Sequence, residues 1–372
     1  MMSEPFALQP VDFTDLPGWQ ADDPCPLLPA MADCLAYLDA GKPYRTGGLG
    51  LTADDLRPLL AKAASFEGAD AQTLRHFFEE ECQPFRITRK DGQPGFVTAF
   101  YEPEIEVADQ RDAVFKYPFY RKPDDLVDVN DANRPADMDP SYAFGLKDQH
   151  GIGLYPDRKA IDQGALDGRG LEIAWAKSVV DVFFVHVQGA ARLRYADGRL
   201  GRITYAAKAG HAFSGIGKLL LDRGEIPLES MSMQAIRAWL ADHPEQVDEV
   251  LWHNRSYIFF KEAPVEDLSR GPVAAAKVPL LAGRSLAVDR TIHTFGFPFF
   301  IHSNSLTRLD HGRPFARLML ALDTGSAIVG PARGDIFTGS GDAAGDLAGA
   351  VRNDADFYIL VPKQAAVRFV PS

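Results

Sequence analysis

A mainly β fold with a helical N-terminal portion is predicted for this 372-residue chain, and three observations predict it. Residues 1–90 carry apolar positions at helical spacing, and residues 95–262 change to strand-like runs with interruptions. The C-terminal stretch from Ser285 holds short strands separated by glycine turns, a pattern that suggests a small barrel.

The helices come first. Leu28, Met31, Leu35 and Leu38 share one face and stop at Gly41, and Thr52 is placed to cap a helix burying Leu56, Leu59, Leu60 and Ala63. Asp70 starts a third, with Leu74, Phe77 and Phe78 turned inward. The period then changes: Gly95–Tyr101 alternates like a strand, and Pro103 stops it. Val179–Val187 reads as a β-rich run, and Leu193–Leu200 as a hairpin whose Asp197-Gly198 supplies the positive φ of a tight primed turn. One clear helix interrupts this region. Ser232 caps Met233–Asp242, which turns Ile236, Trp239 and Leu240 to one side before Pro244. Leu268–Lys277, rich in Gly, Ala and Pro, reads as a crossing between units. Strands are then expected at Ser285–Val288, Phe297–Ile301, Arg317–Leu322, Asp335–Phe337 and Phe357–Val361.

Composition narrows the function. The chain is 46% hydrophobic and 24% charged with a net charge of −12, which argues against nucleic acid and against charge-driven binding to anionic lipid. A neutral or mixed-charge polymer such as a glycan fits. Cys25, Cys34 and Cys82 are too scattered for a disulfide framework or a metal site and read as small buried hydrophobes, although one pair could bridge in an oxidising compartment. The chain begins MMSEPFALQP, with no signal-peptide pattern and no lipobox, and contains no run of 18 apolar residues. The expectation is a soluble chain that carries no export address.

Most motifs fall away on inspection. The nine histidines include no HExxH, so no zinc site is expected, and Gly217-Lys218 lacks the Ser or Thr of a P-loop. No GxSxG occurs, and Gly47-Gly48-Leu49-Gly50 lacks the context of a dinucleotide site. What stands out is the segment 318–346. A buried-type run, Leu318–Leu322, delivers Asp323 into a glycine-rich turn, and Asp335 follows another glycine. Desolvation and a neighbouring carboxylate raise a carboxyl pKa in such a place, which suits a general acid. Asp323-Thr-Gly is also how an aspartic protease presents its catalytic residue. That chemistry needs a second Asp-Thr-Gly or Asp-Ser-Gly, and the chain has neither. Asp289, Asp323 and Asp335 all end short strands of one C-terminal unit, where a small barrel could bring them together.

This three-aspartate pattern resembles the barrel domain named for it, the 3D domain. The chain as a whole resembles the lytic murein transglycosylase A family, through Thr98-Ala-Phe-Tyr-Glu-Pro103, Tyr117-Pro-Phe-Tyr-Arg-Lys-Pro123, His186-Val-Gln-Gly189, Thr204-Tyr-Ala-Ala-Lys-Ala-Gly-His211, Met231–Arg237 and Ser256–Phe260. The resemblance implies a double-psi β-barrel from residues 1–104 and 263–372, with a β-rich substrate-binding domain, 105–262, inserted and glycan in the groove between them. It implies cleavage of the MurNAc–GlcNAc β-1,4 bond with 1,6-anhydromuramic acid formation, Asp335 acting as acid and then base, and Asp323 supporting. Thr98, Phe100, Tyr101, Gln188, Gly189, Tyr205, Lys208, His211 and Asp289 become candidate substrate contacts. No cofactor or metal is implied, the partner is peptidoglycan, the chain is expected to act as a monomer, and the location is the periplasm or outer membrane. A non-catalytic glycan-binding protein and a glycoside hydrolase are the competing readings. Ala99, Ala190, Ala191, Ala207 and Ala209 depart from the family pattern, and their methyl groups bear on individual sugar subsites rather than on the acid.

Overall fold

Side-chain caps start two of the three N-terminal α-helices in the computed structural model, which describes residues 6–369. After β1 (Phe6–Pro10) come α1 (Leu28–Asp39), α2 (Ala53–Ala63) and α3 (Ala71–Glu81). Thr52 Oγ1 accepts the Asp55 N–H at 3.2 Å while Asp55 accepts the Thr52 N–H at 2.8 Å, a reciprocal cap that satisfies two helix-end donors. Asp70 accepts from Thr73 N at 2.8 Å and starts α3 in the same way. The buried faces are the expected ones: Met31 and Leu38 in α1, Leu56, Leu59, Leu60 and Ala63 in α2, and Leu74, Phe77 and Phe78 in α3. The antiparallel pair β1 and β2 (Cys82–Arg89) follows, then β3 (Gly95–Glu102). Cys25, Cys34 and Cys82 are free thiols, the last two buried.

The chain divides into two units, Met1–Tyr101 with Asp267–Ser372, and Glu102–Glu266. The second unit opens with β4 (Glu104–Ala108) and β5 (Tyr117–Tyr120), followed by a small antiparallel sheet of β6 (Leu126–Asp128), β7 (Phe144–Asp148) and β8 (Gly151–Gly153). A turn of helix, α4 (Arg158–Ala160), then leads to β9 (Glu172–Ala176) and α5 (Val179–Gln188). Next are β10 (Ala190–Tyr195), β11 (Leu200–Lys208), α6 (Ile216–Asp222), α7 (Met233–Asp242), α8 (Val247–Trp252) and β12 (Ile258–Ala263). Six of these strands form a sheet in the order β12-β11-β10-β4-β9-β5, and a parallel bridge from Arg121 to Phe260 brings its two edges together.

Three expectations are corrected here. Val179–Val187 is helix, not strand: Ser178 Oγ accepts from Val180 N and Asp181 N at 3.1 and 3.4 Å, and Gly189, at φ 80°, ends the helix in a left-handed cap. Val182 to His186 are all buried, so the helix is apolar all round and shows no one-sided period. Secondly, α6 and α8 join α7, so the unit holds more helix than the sequence suggested. The hairpin at Asp197-Gly198 forms between β10 and β11, but only Gly198 has positive φ, 85°, so its turn is not the primed two-residue type.

The remaining strands return to the first unit: β13 (Ser285–Val288), β14 (Pro298–Ser303), β15 (Phe315–Asp323), β16 (Arg333–Ser340) and β17 (Arg352–Pro362), with short α9 (Asp342–Ala348) and α10 (Lys363–Ala366). The sheet order β1-β2-β17-β14-β15-β13-β16-β3 has an additional β17–β3 pairing. That pairing closes β17, β14, β15, β13, β16 and β3 into a six-stranded barrel, with β2 and β1 extending from β17. Leu318 to Leu322, Phe299 to Ile301 and Ile359 to Val361 line a core that also receives the inner faces of α1 to α3. The closed barrel behind N-terminal helices agrees with the predicted fold class.

Candidate active site

One residue of β13 brings the two aspartates together. Ala287 pairs with Asp323 across the parallel ladder to β15 and with Asp335 across the antiparallel ladder to β16. Residues paired across a ladder project to the same face, so both carboxyls stand on one face, two strands and roughly 9–10 Å apart at Cα.

Each carboxyl has its own partners. Asp335 Oδ1 accepts a hydrogen bond from the Thr98 hydroxyl on β3, and Thr98 Oγ1 in turn accepts from an Arg333 guanidinium N–H at 2.7 Å. Arg333 also donates to the Gly334 carbonyl and lies 5.5 Å from the centre of the Phe96 ring. Asp335 Oδ2 makes no hydrogen bond to the protein among the described residues. Asp323 Oδ1 accepts from Ala275 N at 3.2 Å, within the same unit.

Burial is the largest influence on both groups and raises both pKa values, because water is displaced from around the charged form. For Asp323 the backbone N–H groups of Thr324 and Ala275 oppose that rise, the charge of Asp335 adds to it, Lys277 opposes it, and the result is a carboxyl pushed up from 3.8 to about 6. For Asp335 the Thr98 hydroxyl and the Arg333 charge moderate the rise. Burial thus acts on both carboxyls in the direction a general acid requires, and the two like charges disfavour simultaneous ionisation.

The other expected residues fall into two groups. In the first unit, Asp289 is buried and its carboxylate is engaged within its own loop, accepting from Thr291 N (2.9 Å), Thr291 Oγ1 (2.6 Å) and Gly330 N (2.8 Å). Phe100 packs its ring 5.3 Å from that of Phe337, and Tyr101 is buried with its ring against Gly345 of α9. In the second unit, Gln188 and Gly189 form the end of α5, where Gly189 O accepts from Tyr205 N at 2.8 Å. Tyr205 is exposed and Lys208 half-buried on β11, beyond an irregularity in its pairing with β12. His211 is buried, with Nε2 2.7 Å from Tyr155 O and Nδ1 3.4 Å from the Tyr142 hydroxyl, so both ring nitrogens serve the fold. Among the described residues, no group of three His, Cys, Asp or Glu side chains could hold a metal ion.

Comparison with known proteins bears on this geometry. A model of the MltA specific insert domain matches residues 96–261, and one of the 3D domain matches residues 284–361. The membrane-bound lytic murein transglycosylase A of Escherichia coli K12 is 36% identical over 303 residues, spanning 79% of this chain and 72% of the relative. The chain belongs to the membrane-bound lytic murein transglycosylase A family. Its barrel and inserted unit match, at 64% identity and a TM-score of 0.93, the crystal structure of a membrane-bound lytic murein transglycosylase from Agrobacterium tumefaciens, over 98% of this chain and 100% of that one. The E. coli MltA solved with bound chitohexaose is 27% identical with a TM-score of 0.68, over 97% and 95% of the two chains. The resemblance read from the aspartates and the six sequence blocks is borne out.

Sequence reasoning overlooked two residues of this lytic transglycosylase A chain. Arg333 sits two positions before Asp335 on a strand, hence on the same face, and that period was the available signal. Glu102 ends β3, and its buried carboxylate pairs with Arg202 at 2.6 Å and Arg192 at 3.0 Å. A glutamate closing a mostly apolar and aromatic strand signals such a paired site.

Proposed function

We propose that this chain is a lytic transglycosylase of peptidoglycan, cleaving the bond between N-acetylmuramic acid and N-acetylglucosamine without water and closing the muramoyl C6 oxygen onto C1. Asp335 enters protonated and gives its proton to the leaving glycosidic oxygen. The carboxylate so formed removes the proton from the C6 hydroxyl as the 1,6-anhydro ring closes. One carboxyl suffices for both steps, because the nucleophile is already held on the sugar beside C1. A hydrolase normally needs a second carboxylate to attack carbon or activate water.

The observation that carries this reading is the unequal engagement of the Asp335 oxygens. Oδ1 is held by Thr98 while Oδ2 has no protein partner among the described residues, so one oxygen is anchored and the other is available to substrate. Asp323, pushed up to about 6, is the observation that favours it as the proton source instead. Its acceptance of the Ala275 backbone N–H supports a turn-anchoring role, which leaves the acid at Asp335.

Among the candidate sugar contacts, Asp289 and His211 spend their polar atoms on the fold, which favours Gln188 and Lys208. The substrate places the enzyme in the cell envelope, and its relatives are named membrane-bound; no helix among the described residues is long and apolar enough to cross a membrane. All three aspartates belong to one unit of one chain, which supports action as a monomer. Digestion of murein sacculi with wild-type protein and Asp335→Asn tests the reading. Anhydro ends from the wild type and none from the variant are expected, whereas reducing muramic ends would make the enzyme a hydrolase.

A further inference from the structure

Arg333 and Thr98 form a chain that ends on Asp335. Arginine has N–H groups and no acceptor, so the 2.7 Å contact fixes the direction of the bond: Arg333 donates and Thr98 Oγ1 accepts. The threonine hydroxyl has a single proton, and the carboxyl oxygen Oδ1 lies on its other side. We propose that Arg333 is a positioning residue that aims the Thr98 hydroxyl at Oδ1 and thereby reserves Oδ2 as the oxygen that carries the proton given to the glycosidic oxygen. This inference rests on the reading of Asp335 as the acid and assigns which of its oxygens works.

Chemical alternatives are worse. A proton on Oδ1 would point into the oxygen that already receives the Arg333 N–H, and would turn the Thr98 proton away from the one acceptor the described residues offer it. The guanidinium is itself held: one N–H reaches the Gly334 carbonyl, another reaches Thr98, and its plane lies by the Phe96 ring. The backbone bond from Phe96 N to Ala332 O, 2.9 Å, fixes β3 to the start of β16 beside this group. Lysine keeps the charge but cannot make the forked contact.

The arrangement serves both halves of the reaction. Before proton transfer it leaves the proton on the oxygen that Thr98 does not hold, and after transfer the Thr98 hydroxyl and the nearby positive charge stabilise the carboxylate that must then act as base. The other charged groups around β16 do not share this role. On the elements packed against it, Asp289 beyond β13 is engaged in its loop, and Asp342 and Asp346 lie on α9. Asp323 stands two strands away, and Arg352, exposed on β17, pairs with Thr98 through the backbone.

The test compares Thr98→Ser, Thr98→Val, Arg333→Lys and Arg333→Gln by rate of anhydro-product release across pH, each checked for folding by thermal melting. Thr98→Ser, which keeps the hydroxyl, should keep the wild-type pH profile. Thr98→Val should lose about tenfold or more in kcat, and the pH at which activity is lost should move upward, because the acid loses the hydrogen bond that favours its ionised form. Arg333→Gln should move that pH in the same direction. Arg333→Lys, which keeps the charge, should lower kcat with little movement of the profile, and adding it to Thr98→Val should cost no more than Thr98→Val alone. A folded Thr98→Val protein with the wild-type profile, a folded Arg333→Lys protein with the wild-type kcat, or fully additive losses, would overturn the inference while Asp335→Asn remained inactive. An active Asp335→Asn protein would instead overturn the underlying assignment of the acid.

Discussion

Replacing Asp323 by Asn removes a carboxyl that the fold holds against its ionised form. The pKa is raised from 3.8 to about 6, a difference of about 2.2 units, which at 1.36 kcal/mol per unit amounts to about 3 kcal/mol. The sign follows from proton counting. Between pH 3.8 and about 6 the folded protein binds more protons at this site than the unfolded chain, so stability falls as pH rises through that interval and is level above it. Asn resembles the protonated acid and can still accept the Ala275 N–H. At pH 7.5 Asp323→Asn should therefore be the more stable protein, by up to about 3 kcal/mol, and the gap should shrink by about 1.4 kcal/mol per unit as pH is lowered below 6. Urea unfolding of both proteins at pH 7.5, 6 and 5 reads this directly. A variant less stable than wild type at pH 7.5, or a gap that does not change with pH, would refute the argument that burial dominates at Asp323.

Glu102→Gln should destabilise by about 3–5 kcal/mol, since it leaves the buried Arg202 and Arg192 without their shared carboxylate; a melting temperature unchanged within error would contradict that. At Gly47 an added Cβ would lie 2.3 Å from the Ile292 carbonyl oxygen, so Gly47→Ala should lose stability on the scale of an overpacked core, about 1–3 kcal/mol, as measured by denaturant unfolding. Asp335, raised by burial, must be protonated to begin the reaction, so kcat/KM should fall as pH rises through its pKa. A rate that keeps climbing through that range would show that the ionised form starts the chemistry.

Helix ends were legible because each depends on a short local signal: Thr52 with Asp55, Asp70 three residues before Thr73, and Ser232, whose Oγ accepts from Ala235 N at 3.0 Å. The helix Val179–Gln188 was not legible from periodicity, since five consecutive residues, Val182 to His186, are buried and it is rich in β-branched valine. Its boundaries were written in Ser178 and Gly189, the same kind of signal that succeeded elsewhere. At the site, the strand-end aspartates could be picked out by their glycine-rich turns, but their shared neighbour Ala287 depends on which strands pair. That is a long-range fact. The separate roles of the two carboxyls likewise depend on partners far apart in sequence, Thr98 for Asp335 and Ala275 for Asp323.

The central claim is that one carboxyl, Asp335, acts as acid and then base to make an anhydro sugar. Mass spectrometry of sacculi digested by wild type, Asp335→Asn and Asp323→Asn addresses it most directly, because anhydro ends are lighter than hydrolysed ends by one water. The account predicts anhydro ends from wild type, none from folded Asp335→Asn, and continued release by Asp323→Asn. Anhydro release by Asp335→Asn at the wild-type rate, or reducing ends from the wild-type enzyme, would contradict it.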